Sequence, residues 1–311
     1  MAIAAYRCRM LRSTLLAAAR SPRVRAIVES GPFDPLVNRF VAGPAATDAL
    51  AVARKLAADR LVTVDHLGED TTERAQADTN VAAYERILAL VGDAGLADRV
   101  EVSVKLSALG QSIAVDGDKI ALEAARRVCA AAAAVGTTVT VDMEDHTTTD
   151  RTLDTVRELR VDHSWVGAVV QSQLRRTEAD CRDLTEPGSR VRLCKGAYDE
   201  PTSVAYRDRA GVDAAYARCL RVLMAGEGLP MVATHDPRLI ELARALGRNQ
   251  PYELQMLHGV RPAAQRALAA DGEAVRVYLP YGTEWFGYFM RRLAERPANL
   301  AFFARSLLTR N

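Results

Sequence analysis

Cysteine pairs, long apolar runs and nucleotide-binding glycine signatures are all missing from this chain of 311 residues. Its five cysteines (Cys8, Cys129, Cys181, Cys194, Cys219) are odd in number, scattered and never in a CxxC pair. That pattern argues against a disulfide framework and a structural zinc site, and favours a reducing, cytoplasmic location. No apolar run approaches the ~20 residues that a membrane-spanning helix needs. Neither sign of charge dominates: 41 basic residues against 39 acidic ones leave a net +2, so no nucleic-acid partner is expected. There is no GxGxxG and no GxxxxGK[ST]. HxxxH, HExxH and Cys/His clusters are absent too, so no metal site is expected; His66, His146 and His163 read as surface or packing residues.

Acidic residues are missing from residues 1–28, which are rich in Arg and Ala. That composition suits a transit peptide, or an amphipathic helix packed on the domain. A basic helix can also rest on an anionic surface, which leaves peripheral contact with the inner membrane open. No linker or low-complexity tract divides the chain. The division expected is an N-terminal helical segment over 1–45 and one catalytic domain over 46–311, with a short C-terminal helix at "NLAFFARSLLTR".

What is present in quantity is β-branched sequence in short runs. Eight of them recur, at 60–65, 99–106, 137–144, 165–171, 190–196, 230–236, 252–257 and 274–280. Between them lie Ala-, Leu- and Arg-rich stretches with apolar spacing near 3.6, such as "DKIALEAARRVCAAAAAVG", ending in a glycine fit for a helix C-cap. Strand runs of this apolar character suggest strands buried on both faces of a parallel sheet. Eight strand–helix units in about 220 residues match a (β/α)8 barrel of the TIM type. A doubly wound sheet is the rival, and the lack of a Gly-rich first turn counts against it.

In such a barrel, chemistry gathers at the strand C-termini. Here those ends carry Asp65, then Lys105, Asp142 with Glu144 and Asp145, Gln171, Arg192 with Lys195, Thr234 with His235, Gln255 with His258, and Tyr278. This convergence points to an enzyme, although single residues have plainer readings: Asp142 or Asp145 as helix caps, Lys105 as a rim lysine. "DMED" suits magnesium and hence a metal-dependent lyase or aldolase. Three strands bring cations, however, against one rich in acid. Near the C-terminus, "YGTEWFGYFMRRLAE" puts Tyr288, Arg291 and Arg292 near one helix face, with Glu295 four residues past Arg291. Two guanidiniums with Lys105 make a receptor for a carboxylate. A non-catalytic carboxylate-binding protein is a third class.

The series "VSVKLSALG", "VDMEDHTTTD", "VVQSQLRRT", "VRLCKGAY", "ATHDPRLI", "YELQMLHG", "VRVYLPYG" and "YFMRRLAE" resembles proline dehydrogenase in its stand-alone bacterial form. The likeness runs collinearly from about Leu61 to Glu295, one motif per strand. It implies a distorted (β/α)8 barrel with extra N-terminal helices, holding FAD at the strand C-termini. It also implies oxidation of L-proline to Δ1-pyrroline-5-carboxylate, with C5 facing the flavin N5. On this resemblance Lys105, Arg291 and Arg292 bind the proline carboxylate, Tyr278 and Tyr288 border the ring, and Leu257 is an apolar wall. Arg192 donates near N5, and Asp142 orients the site, through Tyr278. Met143, Gln171, Lys195, Gly196, Ala197, Thr234 and His235 contact FAD, and Glu69 pairs with Arg291 as a gate. A quinone is the expected electron acceptor, and a separate pyrroline-5-carboxylate dehydrogenase the expected consumer of the product. Hydroxyproline is the close alternative substrate, disfavoured by the size of Tyr278. Two positions depart from the bifunctional relatives. Asp199 stands where they have a tryptophan, and "ATHD" brings Asp236 where "ATHN" is usual.

Overall fold

In the computed structural model, residues 34–247 and 250–294 are described. Two helices, α1 (Asp34–Val37) and α2 (Ala46–Leu56), precede the alternating units. These run β1 (Leu61–His66), α3 (Arg74–Asp93), β2 (Val100–Val104), α4 (Gly117–Val135), β3 (Val139–Val141), α5 (Thr149–Asp162), β4 (Gly167–Gln171), α6 (Thr177–Arg182) and β5 (Arg190–Cys194). Then follow α7 (Arg209–Ala225), β6 (Leu229–Ala233), α8 (Pro237–Leu246), β7 (Glu253–Leu257), α9 (Pro262–Ala270), β8 (Val275–Tyr281) and α10 (Trp285–Ala294). The strands form one closed parallel barrel in chain order, with β8 returning to β1. The expected (β/α)8 architecture is therefore present. Most of the 1–45 segment, Cys8 and the expected C-terminal helix lie outside the described residues.

All eight expected strands form, and the main differences are at their ends. β3 keeps three residues of the expected 137–144 run, so Asp142 follows the strand rather than ending it. Each strand is buried on both sides, but the two sides differ chemically. Val62 and Val64 of β1 join the apolar cluster that includes Val81, Tyr84 and Ile87 of α3. Thr63 and Asp65 turn inward, where Thr63 donates to Glu101 at 2.7 Å. Burial on both faces is as expected, although "VEVSVK" and "VRVY" place a polar residue at every second position. Closure of the sheet encloses that polar side.

The helices supply the outer layer. In α3 the buried residues Ala77, Asn80, Val81, Tyr84, Ile87, Leu88 and Val91 recur at three- and four-residue intervals, the stripe expected of a helix lying on a sheet. α4 packs small residues (Ala121, Ala124, Ala125, Ala132) inward, and ends at Gly136 with φ +81. A second apolar cluster joins α1 to α10 through Leu36, Phe40, Phe286, Phe289 and Met290. It fixes α10 beside the mouth of the barrel.

Candidate active site

The upper rim is built on Lys105, which immediately follows β2. Its Nζ lies 2.7 Å from Asp65 Oδ2, 3.3 Å from the Tyr278 hydroxyl and 3.6 Å from Asp142 Oδ2. Tyr278 donates to the same Asp142 oxygen at 2.6 Å. Burial works against the Lys105 ammonium, but Asp65, Asp142 and Glu69 outweigh it and hold its pKa above the ordinary value. Asp65, fully enclosed, is pushed up by burial and by Asp142, against the pull of Lys105. Lys105 Nζ and Arg192 Cζ lie 5.9 and 5.3 Å from the Tyr278 ring centroid, so that ring sits among cations.

Arg192 lies deeper, 4% exposed. Its Nη1 donates to Asp142 Oδ1 at 2.6 Å and Ser103 Oγ at 2.9 Å, and its Nε to Gln255 Oε1 at 2.6 Å. Below it Glu101 pairs with Arg190 at 2.5 Å, Arg192 at 3.6 Å and Arg276 at 3.7 Å, while Glu253 pairs with Arg276 at 2.7 Å. Burial would raise the Glu101 carboxyl; the three guanidiniums hold it well below its usual range. Lys105, Arg190, Arg192 and Arg276 thus face Asp65, Glu101, Asp142 and Glu253, and these charges cancel inside the barrel. A lone buried charge would be costly; paired, it is tolerated.

The mouth is closed from the side by α10. Arg291 Nη2 bonds Glu69 Oε1 at 2.8 Å, and Lys105 Nζ approaches the same oxygen at 3.9 Å. Burial pushes the Glu69 carboxyl up, but Lys105 and Arg291 hold it below its ordinary value. Arg292 Cζ stands 5.2 Å from the Tyr288 ring centroid, so the cation over that ring is the one four residues on. Lys105 and the helix of Arg291 and Arg292 are not on opposite sides of the barrel, because β1 alone stands between β2 and β8. Leu257 packs against the apolar cluster that includes Tyr288 and Phe289. Glu295 lies outside the described residues.

The loop that presents Glu69 is held by groups the motifs did not reveal. Asn80 Nδ2 donates to the carbonyls of Gly68 and Ala108 and to Thr71 Oγ1, and Asp70 N donates to Ser107 Oγ at 3.2 Å. Ser107 itself donates to both oxygens of Glu144, at 3.0 and 2.6 Å. Asp70 sits at φ 58, a left-handed value uncommon for a side-chain-bearing residue. Tyr198 also belongs here, since its hydroxyl is raised first by burial and then by Glu69 and Glu144. Glu101, Ser103, Asn80, Ser107, Tyr198 and Glu253 carried no assigned role in the sequence. An inward-facing parity count along "VEVSVK" was the available signal for the first two.

The remaining candidates lie past β3 to β6. Gln171 donates to the Glu144 carbonyl at 2.5 Å, Met143 is buried, and Ala197 is exposed. Thr234 Oγ1 accepts from Asp236 N at 3.1 Å, and His235 Nε2 accepts from Leu257 N at 3.3 Å. Lys195 pairs with Asp213 at 2.5 Å and Asp236 at 3.4 Å. The charge on Asp236 is also met by Arg238 at 3.1 Å, so this departure from the family pattern is locally compensated. Asp199 is exposed and pairs with Arg207 at 2.8 Å. Gly196 has φ +102, and a Cβ there would lie 2.3 Å from Gln173 Cδ. His66 and His258 are pushed down to about 4 by burial and by nearby Lys105 and Arg60 respectively. Among the described residues no three His, Cys, Asp or Glu side chains are grouped to hold a metal ion. The residues present fit a flavin: Arg192 Nη2 is a buried donor with no hydrogen-bond partner, 3.6 Å from the Glu101 carboxylate.

Comparison with known proteins bears on this arrangement. The sequence model of the family described as "Proline dehydrogenase" matches residues 49–305. The proline dehydrogenase of Deinococcus radiodurans is 37% identical over 310 residues, covering 96% of this chain and 98% of the relative. Proline dehydrogenase 1 of Bacillus subtilis is 34% identical over 277 residues, covering 87% and 90%. Among solved structures, proline utilization A (PutA) from Bdellovibrio bacteriovorus, inactivated by N-propargylglycine, superposes with a TM-score of 0.77 at 25% identity. The match covers 92% of this chain and 36% of that one, so this chain spans about a third of the larger protein. Bradyrhizobium japonicum PutA shares the fold, with a TM-score of 0.74 at 24% identity over 92% of this chain and 33% of that one.

Proposed function

This chain belongs to the proline dehydrogenase family, and from that premise we propose that it oxidises L-proline to Δ1-pyrroline-5-carboxylate with FAD as its cofactor. The observation that carries the reading is the position of Glu69. A carboxylate already stands against Arg291 at 2.8 Å and Lys105 at 3.9 Å, the cations that would receive the substrate's own carboxylate. Arg292 completes the receptor. Planar guanidiniums suit such an anion because they offer paired donors in one plane. Opening the Glu69–Arg291 pair admits the substrate, and its closing excludes water.

With the carboxylate held, Tyr278 and Tyr288 border the ring and Leu257 limits it on the apolar side. Asp142 fixes the Tyr278 hydroxyl and Arg192 together, so ring wall and cation keep one relative placement. The oxidation removes a hydride from C5 and a proton from the amine nitrogen, leaving a C=N bond. FAD, when bound, supplies the two-electron acceptor. Arg192 offsets the negative charge that arrives with those electrons. Among the described residues no side chain stands out as a dedicated base, and the amine proton passes to solvent before the site closes. Met143, Gln171, Lys195, Gly196, Ala197, Thr234 and His235 hold the cofactor. Tyr278 fills the space a 4-hydroxyl would need, which favours proline over hydroxyproline.

Electrons then leave to a quinone, and a separate pyrroline-5-carboxylate dehydrogenase consumes the product. Among the described residues no helix is long and apolar enough to cross a membrane, and quinone reduction calls for peripheral contact of a cytoplasmic protein. An anaerobic titration of the purified protein tests the central claim. L-Proline bleaches the yellow flavin band and 4-hydroxyproline leaves it. A colourless protein, or a band indifferent to proline, overturns the reading.

A further inference from the structure

Gln255 of β7 has no part in the chemistry above, yet both ends of its side chain are fixed inside the barrel. It is 4% exposed. Its Oε1 accepts from Arg192 Nε at 2.6 Å, and its Nε2 donates to Glu253 Oε2 at 3.1 Å. Glu253 is in turn gripped by Arg276, Nε to Oε2 at 2.7 Å and Nη2 to Oε1 at 2.9 Å. An amide has one end that accepts and one that donates. With a guanidinium on one side and a carboxylate on the other, a single orientation satisfies both. Glu253 therefore dictates that an oxygen faces Arg192.

We propose that Gln255 is a positioning residue for Arg192, an inference that rests on Arg192 serving the flavin-dependent oxidation proposed above. Asp142 and Ser103 fix Nη1, but one fixed nitrogen leaves the guanidinium plane free to swing about it. The bond at Nε is the second fixed point. Together they determine where Nη2 is presented, with the Glu101 charge 3.6 Å away. A plain acceptor such as water would satisfy Nε without setting the plane. A carboxylate at position 255 would instead add a third anion against Arg192, which Asp142 and Glu101 already face. The amide relays the orienting effect of Glu253 while keeping its charge one residue further off.

The test is a cycle of four full-length proteins with bound flavin: the parent, Gln255→Met, Arg192→Lys and the double variant. Methionine keeps length without a strong acceptor, and lysine has no Nε edge to be held. In the parent background Gln255→Met lowers kcat about tenfold, with KM for proline within about twofold. It also disfavours reduction of the bound flavin about tenfold, which is about 30 mV for two electrons. In the Arg192→Lys background the same substitution changes neither quantity further. An equal effect in both backgrounds, or none in the parent background, overturns the proposal. If Gln255→Met does not fold, Gln255→Asn replaces it with the same expectations, since it draws the acceptor back by one methylene. Melting temperatures of the same four proteins carry the cycle without flavin or turnover. Coupling there, with a parent that proline does not bleach, sinks the proposed function and leaves the contact standing.

Discussion

Tyr278 and Asp142, 136 positions apart in the chain, share a hydrogen bond of 2.6 Å in which the phenol donates to Oδ2. The other carboxylate oxygen receives Arg192 Nη1 at 2.6 Å, so one short side chain ties the Tyr278 phenol to the buried cation. Asp142→Asn keeps the shape and removes the charge. Each charge-assisted contact is worth ~1.5–3 kcal/mol. Loss of one lowers kcat/KM for proline by roughly 10- to 100-fold, and steady-state kinetics against the parent check this. A variant within about twofold of the parent would remove Asp142 from the site.

Arg291→Met and Arg292→Met are expected to act mainly on KM, raising it about tenfold or more, because each would remove a contact of the proposed receptor to the substrate carboxylate. Glu69→Gln separates the proposed gate from the proposed receptor. It frees Arg291 from an internal competitor, so proline binds no more weakly while the closed state loses its latch. Stopped-flow bleaching distinguishes the two: the arginine variants lose affinity, and the Glu69 variant changes the rate with which the bleached state forms. Unchanged KM in both arginine variants would end the carboxylate assignment.

Acid stability follows from His66 and His258, both pushed down to about 4. The folded state binds these protons less readily than the unfolded chain, whose histidines titrate near 6.5. Stability is then full above about 6.5 and declines as pH falls toward 4, by about 1–3 kcal/mol per histidine. His66 packs edge-on against Tyr84 and Tyr281, with ring centroids at 6.0 and 5.0 Å, so His66→Phe keeps an aromatic ring there. Urea unfolding between pH 4 and 7 should show a shallower decline in that variant. An unchanged slope would contradict the assignment.

Gly196→Ala places a methyl group 2.3 Å from Gln173 Cδ at a backbone φ of +102. Strain of this kind costs about 1–3 kcal/mol. The urea midpoint should fall, and the purified protein should carry less flavin than the parent. A variant with the parent's midpoint would mean that the loop after β5 accepts a side chain freely.

How much of this the residues announced depends on the distance over which each feature acts. The eight strands were legible because β-branched runs and glycine-capped helices are local signals, and Lys105, Asp142, Arg192 and Tyr278 stood out as polar groups at strand ends. Their contacts were not legible. Arg192 meets Gln255 and Lys105 meets Tyr278 because a parallel sheet closes on itself, and closure leaves no mark in a short window. The polar interior was hidden for a related reason: Glu101 and Arg276 alternate with valines as surface residues do. Asn80 looked like any helix polar group, although it staples the loop of Glu69. Helix spacing suggested the carboxylate receptor of Lys105, Arg291 and Arg292; the other roles assigned to single residues came from family likeness.

The four positive and four negative side chains enclosed by the strands form, in effect, one ionic lattice rather than a set of independent pairs. Arg276 Nη1 also reaches the Val62 carbonyl at 3.0 Å, across the seam where the last strand meets the first. Repacking this interior with aliphatic residues one position at a time would strand a partner at every stage. Redesign of the lower barrel therefore has to proceed in charge-neutral sets, and its effects will be felt at the catalytic mouth.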